Sequence, residues 1–356
     1  MSQSNRNSKK SIIQNIKKFK IYLNDRFPLG KNSFFVLIFT LSGYIYTGLL
    51  YNSKIIKPIL SKEINRVPLL WDKEIDKMPM IWYKLLPLFI IIFMFFFQLR
   101  ITDEFKDYEE DLKYRSYRPV QRGIISLKAL GKIGIATVII QIIFAHVINP
   151  KIIYYMMLVW IYMFLMSKEF FIKKWLTKRI LIYALSHVVI MIFITLVIVK
   201  GTEYILQDHF LETLYLLLKK YEKNIFVGLI PLFVLNYLNG IVLKIGRKTR
   251  KADEEEHGVQ TYSKLWERKK AVVILSLLFI IEYLLVILGL AHTYEKYFLF
   301  SRLILLVILI VSIYFMVKFL KKDLSGKIVE TVSGLWIIFS SMCMGFLPYF
   351  VFSLIK

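Results

Sequence analysis

Residues 271–292 read AVVILSLLFIIEYLLVILGLAH, a run of 22 in which Glu282 is the single side chain formally charged at neutral pH. As a helix this run is about 33 Å long, enough to cross a hydrocarbon core of about 30 Å. It carries no polar stripe at helical spacing, as expected of a helix surrounded by lipid and other helices. Inside a bilayer each backbone polar group must be satisfied within the protein, which leaves helices and closed barrels. Barrel strands alternate apolar and polar residues, and this run does not.

Eight further apolar runs resemble it, at about 33–51, 80–99, 131–148, 152–166, 180–199, 225–243, 299–317 and 331–355. The expectation is an all-α polytopic membrane protein of about nine transmembrane helices. Composition agrees: 57% of the 356 residues are hydrophobic and 16% aromatic, above the roughly 45–50% apolar share of soluble domains. A soluble enzyme, an all-β barrel and a disordered chain are excluded. Cys343 is the sole cysteine, so no intrachain disulfide or Cys-based metal site forms. Residues 1–32 are a polar, basic segment rather than a cleavable signal, and 33–356 read as one transmembrane domain.

The net charge is +24. The bases cluster between apolar runs, so membrane orientation and anionic headgroups account for them, and no nucleic acid is invoked. The N-terminal segment and the loops after spans two, four, six and eight hold 33 Lys and Arg, against 13 in the opposite set. This asymmetry places the N-terminus and the loops at 100–130 and 244–270 in the cytoplasm, in an inner or plasma membrane.

Those two loops carry the chemistry. The first contains LRITDEFKDYEEDLKYRSYRPVQRG (99–123). Asp103, Asp107 and Asp111 recur every four residues, which on a helix makes one stripe of carboxylates about 6 Å apart. Such a row repels itself unless cations sit against it, and Mg²⁺ suits oxygen ligands shared with phosphates. Lys113, Arg115, Arg118 and Arg122 follow, and arginine pairs bidentately with phosphate oxygens. Pro119 and Gly123 end the helix. The second loop, GRKTRKADEEEHGVQTYSKLWERKK (246–270), sets Arg247, Lys248 and Arg250 before the acids Asp253, Glu254, Glu255 and Glu256.

The two loops resemble the two acidic motifs of the UbiA superfamily of intramembrane prenyltransferases. The first is similar to N/D-D-x-x-D-x-x-x-D followed by R-P-x-x-x-G. The second stands where the family has D-x-x-x-D. The resemblance implies a UbiA-like bundle, an isoprenyl diphosphate bound through Mg²⁺, and a hydrophobic or aromatic acceptor that captures an allylic cation. It implies metal ligation by Asp103, Asp107, Asp111, Glu254 and Glu255, and diphosphate contacts from Lys113, Arg118, Arg122, Arg247, Lys248, Arg250, Asn236, Asn239 and Lys168, with Glu169 adjoining them. Two departures stand out. Ile101 and Thr102 precede Asp103 where Asn is usual. Counting back from Gly258, the leading acidic position of the second motif falls on Arg250, which removes one carboxylate from a second Mg²⁺ site.

Two other readings fit the same residues. A membrane terpene cyclase shares the chemistry but captures the cation internally. A transporter or lipid-binding protein would route a solute past intramembrane Glu282 and His187. Transporters place their sites near the midplane, whereas the charge here collects at one membrane face.

Overall fold

The computed structural model describes residues 3–51, 82–209, 211–255, 261–293, 298–322 and 324–355. The helices are α1 (Gln3–Arg26), α2 (Leu29–Tyr51), α3 (Trp82–Lys106), α4 (Tyr108–Tyr114), α5 (Leu127–Ile148), α6 (Ile152–Ser167), α7 (Lys173–Leu176), α8 (Ile180–Val188), α9 (Ile190–His209), α10 (Leu211–Arg247), α11 (Tyr262–Ala291), α12 (Phe298–Lys321), α13 (Lys327–Met344) and α14 (Phe346–Ile355). Short 3₁₀ turns occupy Glu169–Phe171 and Ala252–Glu254. No strand occurs among the described residues.

Eight candidate spans are long and apolar enough to cross a membrane, so the chain is an integral membrane protein. The ninth expected span is α6, whose 16 residues reach about 24 Å as a helix, less than a full hydrocarbon core. Two expected single helices are jointed. The span beginning at Ile180 divides at Val189 into α8 and α9. The last divides at Gly345, where a Cβ would stand 2.2 Å from the Ser42 carbonyl oxygen of α2. That close approach of backbone to backbone needs glycine, and the chain turns there. Gly345→Ala is expected to lower stability by about 1–3 kcal/mol, read as a fall in the detergent melting temperature.

Helix α2 is the hub, the most buried of the candidate spans. It packs on α3, α9, α10, α13 and α14. Its small residues Ser42, Gly43, Thr47 and Gly48 let neighbouring backbones come close, as membrane packing requires. Buried Tyr46 donates to the carbonyl oxygens of Gly228 (2.6 Å) and Gly289 (3.2 Å), pinning α10 and α11. Gln98 donates to Thr137 (2.9 Å) and Gln141 (2.7 Å), joining α3 to α5. Outer helices keep apolar faces open: Ile135, Ile139 and Ile143 on α5 recur every four residues and are exposed. Such a stripe suits lipid.

Helix α1 is not a free tail. Tyr22 and Phe27 bury against Phe97, Ile101, Val120, Ile125 and Leu130, so its end is packed on α3 and the first charged loop.

Candidate functional site

Helix α3 runs past the apolar run to Lys106, and α4 resumes at Tyr108 with Asp107 at the joint. The backbone amides of Asp107, Asp111 and Arg115 donate to the carbonyls four residues back, at 2.8–2.9 Å. The expected four-residue track of carboxylates therefore survives the joint. Gly123, at φ +71°, lets the chain turn out of the motif, a region favourable to glycine. Ser126 then caps α5 by accepting from the Ala129 amide at 3.2 Å.

The acids of this track have separate fates. Asp111 is 1% exposed and accepts from Arg115 at 3.1 Å and from Arg118. Glu104, fully buried, accepts from Arg100 (2.9 Å) and from Arg26 of α1 (2.7 Å). Asp103 and Asp107 keep side chains 40% and 37% exposed. The ammonium of Lys106 lies beside them, 4.0 Å from Asp103 and 3.8 Å from Asp107.

Lys106 is the centre of the cluster, and its role is not apparent from motif spacing. It donates to Tyr183 Oη of α8 at 2.6 Å and stands 3.8 Å from Glu169. Tyr183 in turn donates to Glu169 Oε1 at 3.2 Å and stacks on His187, with ring centroids 4.0 Å apart. His187 Nε2 lies 3.2 Å from Glu169 Oε2, and Nδ1 is 2.8 Å from the Tyr183 carbonyl oxygen. Glu169, Phe170 and Phe171 have φ of 49°, 53° and 60°, a backbone that costs about 1–3 kcal/mol per residue. This turn directs Glu169 inward and leaves Lys168 exposed. Burial alone would raise the Glu169 carboxyl, but His187 and Lys106 hold it below the usual carboxylate range.

Lys244 comes from the last turn of α10 and Lys248 from the turn just beyond its end, where its amide donates to the Ile245 carbonyl at 3.1 Å. Lys244 Nζ is 5.7 Å from the centroid of the Tyr183 ring. Lys248 lies within electrostatic range of Arg115, Asp107, Glu110 and Lys106. Burial and then Arg115 lower the Lys248 ammonium from its ordinary value. Asn236, about two turns before Lys244 on α10, donates to Thr195 of α9 at 3.0 Å. Asn239 faces α13, accepting from Ser340 at 3.4 Å; its buried Nδ2 has no partner among the described residues.

The remaining second-loop residues turn elsewhere. Glu254 accepts from the Gly326 amide (2.7 Å), the Lys251 amide (3.3 Å) and the Ser325 side chain, holding the loop to the start of α13. Against the upward effect of burial, these bonds lower its carboxyl. Glu255 accepts from the hydroxyls of Thr261 and Ser263, both at 2.8 Å. Arg250 donates to Glu330 at 2.8 Å, and Arg247 lies 3.9 Å from the same carboxylate. Arg122 is exposed, and Lys113, also exposed, sits 4.9 Å over the Tyr114 ring. Glu256, His257 and Gly258 lie outside the described residues.

A helical bundle with an acidic track at the end of α3, facing the basic end of α10, agrees with a sequence comparison. The profile of the UbiA prenyltransferase family matches residues 81–327, more than two thirds of the chain. The chain belongs to the UbiA prenyltransferase family. The match takes in α3 through the start of α13, and so both charged loops and the groups around Lys106, but not Arg26 or Glu330. A solved structure presented as giving structural and mechanistic insight into digeranylgeranylglyceryl phosphate synthase in membranes has the same fold. It aligns with a TM-score of 0.51 at 17% identity, over 92% of this chain and 98% of the other. No curated protein sequence matches.

The family implies Mg²⁺. Among the described residues, no three of His, Cys, Asp and Glu are grouped to hold a metal by themselves. Mg²⁺ commonly takes one or two carboxylates and completes its shell with waters and substrate phosphates. Asp103 and Asp107 fit that use: both are partly open, and their contacts to Lys106 are long. Asp111, Glu254 and Glu255 already serve arginines, amides and hydroxyls.

Burial and the neighbouring acids Asp103, Asp111 and Glu110 outweigh Lys106 and raise the Asp107 carboxyl to about 6. The folded protein thus holds this proton more tightly than the unfolded chain, whose ordinary value is 3.8. The cost to stability is absent below that value, grows as pH rises through about 6, and is complete above it. In metal-free protein, Asp107→Asn is expected to raise the melting temperature at pH about 8 and to have no such effect near pH 4, measured by differential scanning fluorimetry.

Proposed function

We propose that the protein transfers a prenyl group from an isoprenyl diphosphate to an aromatic or lipid-soluble acceptor, at the cytoplasmic end of the bundle. The observation that carries this is the convergence, at one end of an apolar bundle, of half-open Asp103 and Asp107 with lysines from α3 and α10. Family membership supports intramembrane prenyl transfer in general.

In this reading Lys248 and Lys106 meet the diphosphate from opposite helices. Asp103 and Asp107 would hold Mg²⁺, which when bound supplies charge neutralisation for the departing diphosphate. The C1–O bond of the prenyl diphosphate breaks with its electron pair on oxygen, leaving an allylic cation. The acceptor bonds to C1 and gives up a proton. Tyr162, Phe170 and Phe193 form an aromatic cluster beside His187, with Tyr162 centroids 5.5 and 5.0 Å from the two phenylalanines. Their π faces suit a carbocation. An open apolar groove of about 570 Å³ on the outside of α8, α10 and α11, lined by Leu185, Ile241, Ile245 and Trp266 among others, offers a surface for a prenyl tail. Asp111, Glu254 and Glu255 serve as positioning residues that hold the two loops.

The test incubates purified protein with Mg²⁺ and a panel of isoprenyl diphosphates, with and without aromatic and lipid acceptors. Acceptor-dependent diphosphate release with a prenylated product is the expected result. Release of a cyclic hydrocarbon or alcohol without acceptor would replace transfer with cyclisation. No release with any combination would overturn the enzymatic reading.

A further inference from the structure

Glu169 and His187 form a buried acid–base pair, with side chains 7% and 4% exposed. His187 Nδ1 lies 2.8 Å from the Tyr183 carbonyl oxygen. A carbonyl can only accept, so Nδ1 carries the single ring proton of the neutral imidazole, and Nε2 presents a lone pair. Nε2 stands 3.2 Å from Glu169 Oε2. Neither atom makes a hydrogen bond of good geometry among the described residues. Two acceptors at that separation repel until a proton lies between them, so the pair is built to take up one proton. Charged and titratable groups of each neighbouring element bear on it. Lys106 of α3 lies 3.8 Å from Glu169 Oε1, and Tyr183 of α8 donates to the same oxygen at 3.2 Å. Lys244 of α10 is within electrostatic range of the ring. Phe170 meets His187 edge-on at 5.7 Å, and Tyr162 donates to the Ser186 carbonyl oxygen at 2.6 Å, so the aromatic cluster borders the pair. The left-handed backbone at Glu169, Phe170 and Phe171 accompanies this pairing, and strain of that kind concentrates at functional sites.

Resting on the reading that the chain transfers a prenyl group, we propose that His187, oriented by the Tyr183 carbonyl and paired with Glu169, is the general base that takes the proton from the acceptor. The diphosphate has by then left with the C1–O electron pair. The acceptor bonds to C1 of the allylic cation, and its own C–H or O–H bond breaks. That electron pair stays with the acceptor, and the proton moves to His187 Nε2. Glu169 is held below the usual carboxylate range, so it stays ionised and the proton rests on the imidazole. The carboxylate offsets the repulsion that Lys106 and Lys244 exert on an imidazolium. After product leaves, the proton passes to water and the neutral ring returns. A base with an orienting partner on its other nitrogen follows the general logic of proton transfer in enzymes, and contributes about 10²–10⁴-fold to rate.

The experiment uses the full-length protein in detergent with Mg²⁺, and the isoprenyl diphosphate and acceptor that give product in the panel above. The diphosphate carries ¹⁸O at its bridging oxygen. Prenylated product is measured together with migration of the label to non-bridging positions, which reports cleavage and return of the C1–O bond. His187→Gln keeps an amide at the ring's place but cannot take up a proton. It is expected to lower kcat on the order of a hundredfold, with KM for the diphosphate within about threefold of wild type and label migration retained. Glu169→Gln is expected to lower kcat about tenfold with the same retention, and it carries the test if His187→Gln does not fold. Turnover within about threefold of wild type in the variant that folds would overturn this inference. Loss of label migration together with product would also overturn it, because the pair would then serve structure or diphosphate binding. Both results leave prenyl transfer standing. Wild-type protein that gives neither product nor label migration would overturn the prenyl-transfer reading itself.

Discussion

Asp103→Asn combined with Asp107→Asn is expected to lower turnover by roughly a thousandfold while the melting temperature holds or rises. Among the described residues the two carboxylates pair with Arg100 and Lys106, at 3.8–4.0 Å, and their side chains remain more than a third exposed. Exposed pairs at such distances contribute little to stability. The acids also repel each other, which is part of why the Asp107 carboxyl is raised to about 6. Replacing them relieves that repulsion. What they do supply is negative charge at the place where the reading puts Mg²⁺ and a departing diphosphate. Product formation and thermal melting, measured on the same preparation, decide the matter. Turnover within tenfold of wild type would remove both residues from the chemistry.

Asp111→Ala is expected to fail by the opposite route, with a loss of about 3 kcal/mol of stability. Its carboxylate is 1% exposed and is the shared acceptor of Arg115 and Arg118. Removal takes a shared buried acceptor from two largely buried guanidinium groups, and breaking a buried pair from one side is costlier than the pair's own net contribution. The Arg115–Arg118 turn that leads to Pro119 loosens, and the basic side of the site goes with it. A drop in melting temperature, together with substantial turnover per folded molecule when assayed at low temperature, is the expected pattern. An unchanged melting temperature with abolished turnover would return Asp111 to the metal site.

The contrast between these two predictions lies within one nine-residue motif, and the difference is tertiary. Spacing of four places all three aspartates on one helical track whatever surrounds it, and the amide ladder through Asp107, Asp111 and Arg115 keeps that track. Which of the three is closed off depends on Arg118, which reaches back from the turn beyond α4. Glu104 is similar: its neighbours in sequence suggest a solvated loop, yet Arg26 of α1 and Arg100 enclose it. A charged residue's local spacing says where it sits on its helix, not what the next helix brings to it.

Lys106 and Lys244 illustrate the limit from the basic side. Lys244 ends an apolar run, where a lysine ordinarily anchors the cytoplasmic boundary, and Lys106 lies among the charges of the first motif. Only the meeting of α3, α8 and α10 at Tyr183 makes them a cluster. Lys168 and Glu169 show a further limit. Three consecutive left-handed residues, none of them glycine, decide that the acid and not the base turns inward. Nothing in Glu-Phe-Phe announces that backbone, which accompanies the contacts of the Glu169 carboxylate with His187, Tyr183 and Lys106.

The apolar runs determine the membrane-spanning helical bundle, since a bilayer leaves the backbone hardly any other way to satisfy its hydrogen bonds. The two charged loops, through their spacing and resemblance, also point to the end of the molecule where the proposed chemistry takes place. The tertiary structure alone decides which of those charges face one another. Electrostatic partnership depends on distances of a few ångströms between helices far apart in the chain, and helical periodicity carries no information about them.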